Sequence, residues 1–323
     1  LNLPKLGVLT ATAVAAVITS PGPTARAQDG SAWQSRHDAG WRAYQDGRYR
    51  EAETLLRAAA QEAKRPALDE ARMATTLDHL AWALTAQGRY DLAEDSARWA
   101  LTHRERLRGS DHHEVAESLN TLACLYDGQG KPARAEPYYR RALAIEEKAR
   151  GAEHPNVVDL LDNLAAVCHA QGKLAEAEPL YKRALAFREK APNESPADLA
   201  PTLHNLATLY LDQGKLAEAE PLLRRALALR EKALGPGHPE VAVSLGSLAR
   251  LYDAQGKAAE AEPLYRRGAA ILDAPAAADH PGAAGLLDDY AALLRKLDRP
   301  EAAERLLARA RSLRERQAAR ASN

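Results

Sequence analysis

A turn glycine recurs through this chain at a nearly fixed interval, and that interval limits the fold more tightly than any other feature. Glycine followed by a basic residue stands at Gly47-Arg48, Gly88-Arg89, Gly130-Lys131, Gly172-Lys173, Gly214-Lys215 and Gly256-Lys257, with steps of 41, 42, 42, 42 and 42 residues. One more step of 42 reaches Asp298-Arg299, a degenerate seventh copy. A period of this size marks a stack of like units, each burying its apolar face on its neighbours.

Columns at fixed offsets from the glycine show what one unit is. Three of them hold only alanine or glycine in all seven copies. Seven before the landmark stand Gly40, Ala81, Ala123, Ala165, Ala207, Ala249 and Ala291, and five after it Ala52, Ala93, Ala135, Ala177, Ala219, Ala261 and Ala303. Twelve after come Ala59, Ala100, Ala142, Ala184, Ala226, Gly268 and Ala310. Small side chains there let two helices approach closely. Ahead of the glycine, leucine pairs such as Leu77/Leu80, Leu119/Leu122 and Leu161/Leu164 are followed four before it by Leu84, Tyr126, Cys168, Tyr210, Tyr252 and Leu294. Spacings of three and four place these on one face of a helix. After the glycine, a second helix carries Leu56, Tyr139, Tyr181, Leu223, Tyr265 and Leu307 between its alanines. Each copy is predicted to be helix, tight turn, helix. His-Pro pairs at 154–155, 238–239 and 280–281 open first helices, where proline's missing N–H costs nothing. Pro137, Pro179, Pro221 and Pro263 recur inside second helices and predict a tolerated bend. No alternating Val, Ile and Thr run marks a strand, so the fold class is all-α.

Composition narrows the function. Lys+Arg and Asp+Glu both number 44 among 323 residues, and zero net charge argues against a general nucleic-acid binder. Two cysteines exclude a disulfide scaffold and a Cys-rich zinc protein. Glycine-rich phosphate loops, the GxSxG elbow and HExxH are all missing, so catalysis by this chain is not expected. No cofactor and no metal are expected either. His112-His113, His154, His238 and His280 lie near the starts of different copies and read as helix-start polar residues rather than as converging ligands. Cys124 and Cys168 stand six and four before their glycines, offsets that favour two buried thiols over a bridge.

The opening residues read as an address. Lys5, a 14-residue apolar stretch from Leu6 to Thr19 and the pattern Ala25-Arg26-Ala27 have the layout of a secretory signal peptide cut after Ala27. The expected division is therefore a signal peptide over 1–27 and repeats over 28–323, with export to the periplasm or beyond. A disordered alanine-rich tail is the alternative. The apolar stretch is too short to span a bilayer, which needs about 20 residues, so no stable membrane span is expected.

The segments GQGKPARAEPYYRRALAIEEKARGAEHPNV, AQGKLAEAEPLYKRALAFREK and DQGKLAEAEPLLRRALALREKALGPGHPEV resemble the tetratricopeptide repeat of the 42-residue, kinesin light chain-like type. The resemblance spans about residues 33–320, with copies near 33–64, 68–108, 112–150, 154–191, 196–234, 238–273 and 280–320. It implies a right-handed α-solenoid of about seven units, a superhelix whose first helices line a concave groove for a peptide or a partner segment.

On those first helices the positions ten, nine, six and three before the glycine are expected to face the groove. Its candidate residues are His79, Trp82, Asn120, Asp162, Asn163, His204, Asn205, Thr208 and Arg250. A side-chain amide both donates and accepts, and the resemblance implies that an asparagine nine before the glycine grips the backbone of an extended peptide; Asn163 and Asn205 hold that place. Asp78, Asp127, Asp162, Asp253, Asp288 and Asp289 outnumber Arg250 and Arg295 in these columns, which predicts a preference for neutral or basic segments. His79, His169 and His204 are candidates for pH dependence. The expected function is a non-catalytic protein-interaction scaffold with a protein or peptide partner. A structural subunit of an envelope complex using convex or edge surfaces, and an accessory subunit of an enzyme on another chain, are the alternatives.

Overall fold

The computed structural model describes residues 27–63, 70–190, 196–274, 280 and 282–321, so the expected signal segment lies outside them but for Ala27. Fourteen helices and no strand occur among the described residues. In chain order they are α1 (Ala27–Gln45), α2 (Tyr49–Ala63), α3 (Glu70–Ala86), α4 (Tyr90–Arg108), α5 (His113–Gly128), α6 (Pro132–Arg150) and α7 (Pro155–Ala170). There follow α8 (Leu174–Lys190), α9 (Pro196–Asp212), α10 (Leu216–Leu234), α11 (Pro239–Ala254), α12 (Ala258–Ile271), α13 (Ala283–Lys296) and α14 (Pro300–Ala321). The first helix starts ahead of residue 33, where the sequence columns place the first repeat. The described residues form two compact units, one ending at Val167 and one beginning at Cys168.

The periodic glycine ends each first helix by one mechanism. Gly130 is left-handed at φ 69°, its N–H donates to the Asp127 carbonyl, and the Lys131 N–H reaches back to Tyr126 at 2.9 Å. That pair of bonds is a Schellman closure, which satisfies carbonyls the helix end would leave open. In the seventh copy Asp298 takes the glycine's place at φ 56°, with its N–H on Arg295 and the Arg299 N–H on Leu294. It is the one non-glycine residue with positive φ among the described residues.

Four of the first helices, α5, α7, α11 and α13, have a histidine at their start. Nδ1 of His112, His154, His238 and His280 accepts the N–H of the residue two positions on, at 3.2–3.3 Å. Each of these bonds leaves Nε2 as the protonated nitrogen, and the histidines act as the helix-start residues expected of them.

In the amino-terminal unit, α1/α2, α3/α4 and α5/α6 are antiparallel hairpins, and α2 and α4 pack against the hairpin that follows. The alanine columns make this closeness possible: Ala52, Ala93, Ala135, Ala59, Ala100, Ala142, Ala81 and Ala123 are fully buried. At Gly40 an added methyl would stand 2.8 Å from Leu56, so even alanine is too large there. The carboxy-terminal unit repeats the plan in α9/α10, α11/α12 and α13/α14 around Leu199, Leu203, Leu223, Tyr265 and Leu287. Helices α6, α8, α10 and α12 run on through their internal prolines. No helix among the described residues is long and apolar enough to cross a membrane.

A buried arginine joins successive hairpins in each unit. In the first, Arg104 of α4 is 2% exposed and donates to the Glu114 carbonyl at 2.6 Å, while pairing with Asp78 at 3.1 Å and Glu117 at 2.9 Å. Ser118 completes the set by donating to Asp78 at 2.8 Å. In the second, Arg230 holds the same place three repeats later, donating to Ser244 at 2.7 Å and pairing with Glu240 at 3.0 Å. His280 donates to Glu240 at 3.0 Å, and this bond with the arginine's charge drives the Glu240 carboxyl down to about 2.

Candidate functional site

The first-helix columns predicted to face a ligand divide by offset. Ten before the glycine, Asp78, His204 and Gly246 are buried in the helix interfaces, while Asn120 and Asp162 are half-buried. His204 therefore sits in the packing beside α10 and α11 rather than on an open face, because that offset is rotated toward the next hairpin. Nine before, His79, Asn163 and Asn205 are half-buried, as are Trp82, Thr208 and Arg250 six before. The half-buried residues at these three offsets are what a ligand can reach, whereas Thr121 nine before and Cys124 six before are buried.

In the amino-terminal unit the face made by α1, α3 and α5 is aromatic at its start. A ladder of near-parallel rings runs Trp33, His37, His79, Trp41, Tyr44, with successive centroids 4.9, 4.8, 4.0 and 5.0 Å apart. Trp33 is anchored by its indole N–H on Thr76 at 3.0 Å. Three of these rings (His37, Trp41 and Tyr44) and Asp38 stand ten, six, three and nine before Gly47. None of these four is among the candidates expected from sequence, although the same offsets counted back from Gly47 find them all.

Burial governs the chemistry of this face. It holds His79 well below the ordinary imidazole range and lowers His37 as well. Nδ1 of His79 and Nε2 of His37 are buried without a hydrogen-bond partner among the described residues. Burial raises the Asp127 carboxyl to about 6 and the Cys124 thiol to about 12. Cys124 accepts a hydrogen bond from the Tyr139 hydroxyl at 3.1 Å and stands 3.8 Å from Asn120 Oδ1. Cys124 and Cys168 are both buried free thiols.

In the carboxy-terminal unit Asn205 and Thr208 lie on α9, with the Thr208 hydroxyl donating to the His204 carbonyl one turn back at 2.9 Å. Arg250 of α11 lies 3.7 Å from Asp212, which also meets His169 Nε2 at 2.8 Å. Burial holds His204 down at about 3. The expectation that His79 and His204 tune binding near neutral pH is corrected on this ground, since both imidazoles stay uncharged there. Asn163 in the first unit and Asn205 in the second have side-chain amides with no hydrogen-bond partner among the described residues.

Metal chemistry finds one cluster in the first unit. Ligand atoms of the consecutive residues His112, His113 and Glu114 lie within 4.8 Å of one another, so the adjacent histidines have a third donor in the next residue. Arg150 stands 2.8 Å from His113 Nδ1 and Arg108 3.4 Å from Glu114. Two guanidinium groups and the positive end of α5 oppose a cation there.

The tetratricopeptide repeat family model matches residues 72–148, 129–190 and 198–274. Among solved structures, a Podosopora anserina protein described as a kinesin light chain with nearly identical TPR-like repeats is 27% identical, with a TM-score of 0.54 over 63% of this chain and 96% of that chain. BtubC (BKLC) from P. vanneervenii is 24% identical, with a TM-score of 0.55 over 65% of this chain and 91% of that one. The Rap conjugation gene regulator of plasmid pLS20, in complex with the Phr* peptide, shares the fold at 17% identity and a TM-score of 0.64, over 88% of this chain and 74% of that one. No curated protein matches the chain. The matched repeat is generally a non-catalytic protein-interaction scaffold, and no catalytic family is indicated. With that model matched over more than half of its length, the chain belongs to the tetratricopeptide repeat family.

Proposed function

We propose that this protein is a binding scaffold that holds an extended peptide or partner segment along its first helices. The observation that carries the reading is made in each unit by itself: Asn163 in the first and Asn205 in the second are half-buried amides whose donors and acceptors find no side-chain or backbone partner among the described residues. Their amide atoms are open to solvent, and an extended backbone offers them a donor and an acceptor together. Neighbouring residues favour the same role: His79, Trp82 and Asn120 in the first unit, and Thr208 and Arg250 in the second, are half-buried and solvent-reachable. A complex of a similarly folded protein with a peptide is consistent with it. Binding is measured with peptides selected from a random display library on the full chain. Asn163→Ala and Asn205→Ala are each expected to weaken the selected peptide by about tenfold while leaving helicity and melting temperature unchanged. Unchanged affinity in both variants would shift the reading to convex or edge surfaces.

A further inference from the structure

One imidazole of α3 is inserted between two rings of α1. His37 and Trp41 stand one turn apart on α1, and His79 lies between them, with ring centroids 4.8 Å and 4.0 Å away at interplanar angles of 22° and 17°. Trp33 closes the stack beyond His37 at 4.9 Å and donates its indole N–H to Thr76 of α3. The same four rings thus fasten the first helix of copy one to the first helix of copy two, and such ring pairs add to what their buried area contributes.

Both imidazoles are built in for the neutral form. Nδ1 of His37 faces the Asp38 carboxylate at 3.2 Å and carries the proton, which leaves Nε2 a bare acceptor, buried and without a donor. A second proton there would make a buried N–H with nothing to receive it, a costly state. Nδ1 of His79 is likewise buried without a partner.

The charged groups around the pair offer little to a cation. Asp38 on α1 is half exposed and already accepts from Gln34. Glu62 of α2 is engaged by Arg36. On α3, Arg72 lies 5.2 Å over the Trp33 ring, and Asp78 is paired with Arg104 of α4, which also takes Glu117 of α5. Arg104 and a charged His37 would both oppose a proton on His79. Desolvation accordingly lowers both imidazoles from their ordinary 6.5.

We propose that His79, clasped between His37 and Trp41, is an acid-released catch that fastens α1 to α3. With both rings neutral the stack is interlocked. Acid places two like charges 4.8 Å apart and strands their buried N–H groups, and α1 comes away. Imidazoles freed from the stack take up protons first, near 6.5, so the catch is whole above that value. It weakens as pH falls below it, by up to about tenfold per pH unit for each ring. The catch acts on the first hairpin whatever the chain binds.

Amide hydrogen exchange of the full chain, read peptide by peptide and corrected for its intrinsic pH dependence, tests this. Protection of α1 around His37 and Trp41 is expected to fall by about tenfold or more between pH 7 and pH 5. The double variant His37→Phe with His79→Phe keeps rings that cannot charge, and its α1 protection should change by less than about twofold over the same range. An equal loss in the variant, or no loss in the wild type, overturns the catch. If the double variant does not fold, the imidazole proton resonances of the wild type carry the test. Both rings should charge only as α1 loses protection, and a ring that charges near 6.5 with α1 still protected overturns the catch.

Discussion

At the residue scale, two positions separate what a repeat needs from what one copy has. Asp298 occupies a left-handed turn position that glycine fills in the six copies before it. An aspartate tolerates that conformation at a cost glycine does not have, so Asp298→Gly is expected to stabilise the chain by about 0.5–1 kcal/mol, read from urea unfolding. His204 is held at about 3 in the folded protein against 6.5 ordinarily. The unfolded chain therefore takes up this proton first, and stability is lost as pH falls below about 6.5 until the folded value is passed. Its share of the slope approaches about 1.4 kcal/mol per pH unit. Replacing it as His204→Asn removes that share, so the variant should gain on the wild type between pH 7 and pH 5 in paired unfolding curves; parallel curves would refute this. The candidate positions were legible as one helix face, but not that Asp78, His204 and Gly246, ten before the glycine, turn into the packing. Adjacent helical positions differ by about 100°, and only the packing angle of the next hairpin decides which one turns inward.

At the element scale, the joints between hairpins rest on groups that sequence did not single out. Arg104 and Arg230 are two arginines among many on second helices, and nothing local distinguishes them from the exposed ones beside them. Tertiary placement turns them inward onto the next hairpin's carbonyl and carboxylates. Removing one partner of a buried pair strands the other charge, so Arg104→Ala is expected to cost about 3–5 kcal/mol in urea unfolding at pH 7. The penalty should shrink toward pH 5, since the Asp78 carboxyl, already raised to about 6 by burial, can then be neutralised by a proton. The double variant Arg104→Met with Asp78→Leu should recover part of it. A single substitution costing under about 1 kcal/mol would show that the joint lies elsewhere. By contrast, the alanine columns were plain in the sequence, because close helix approach admits few side chains and the same few recur in every copy.

On the scale of the whole molecule, periodicity made the hairpin plan readable before any coordinates, and the family match covers the central copies where that period is cleanest. The ring ladder was hidden for the opposite reason: it is built from the first copy's α1 and His79 of the second and repeats nowhere, so no column announces it. Its composition has an experimental use. The chain's four tryptophans, Trp33, Trp41, Trp82 and Trp99, all lie on α1, α3 and α4. Indole emission is thus a local gauge of the first two hairpins, blind to everything after them, whereas ellipticity weighs every helix alike. A denaturation followed by both signals would map how far the loosening of one end is shared by the rest.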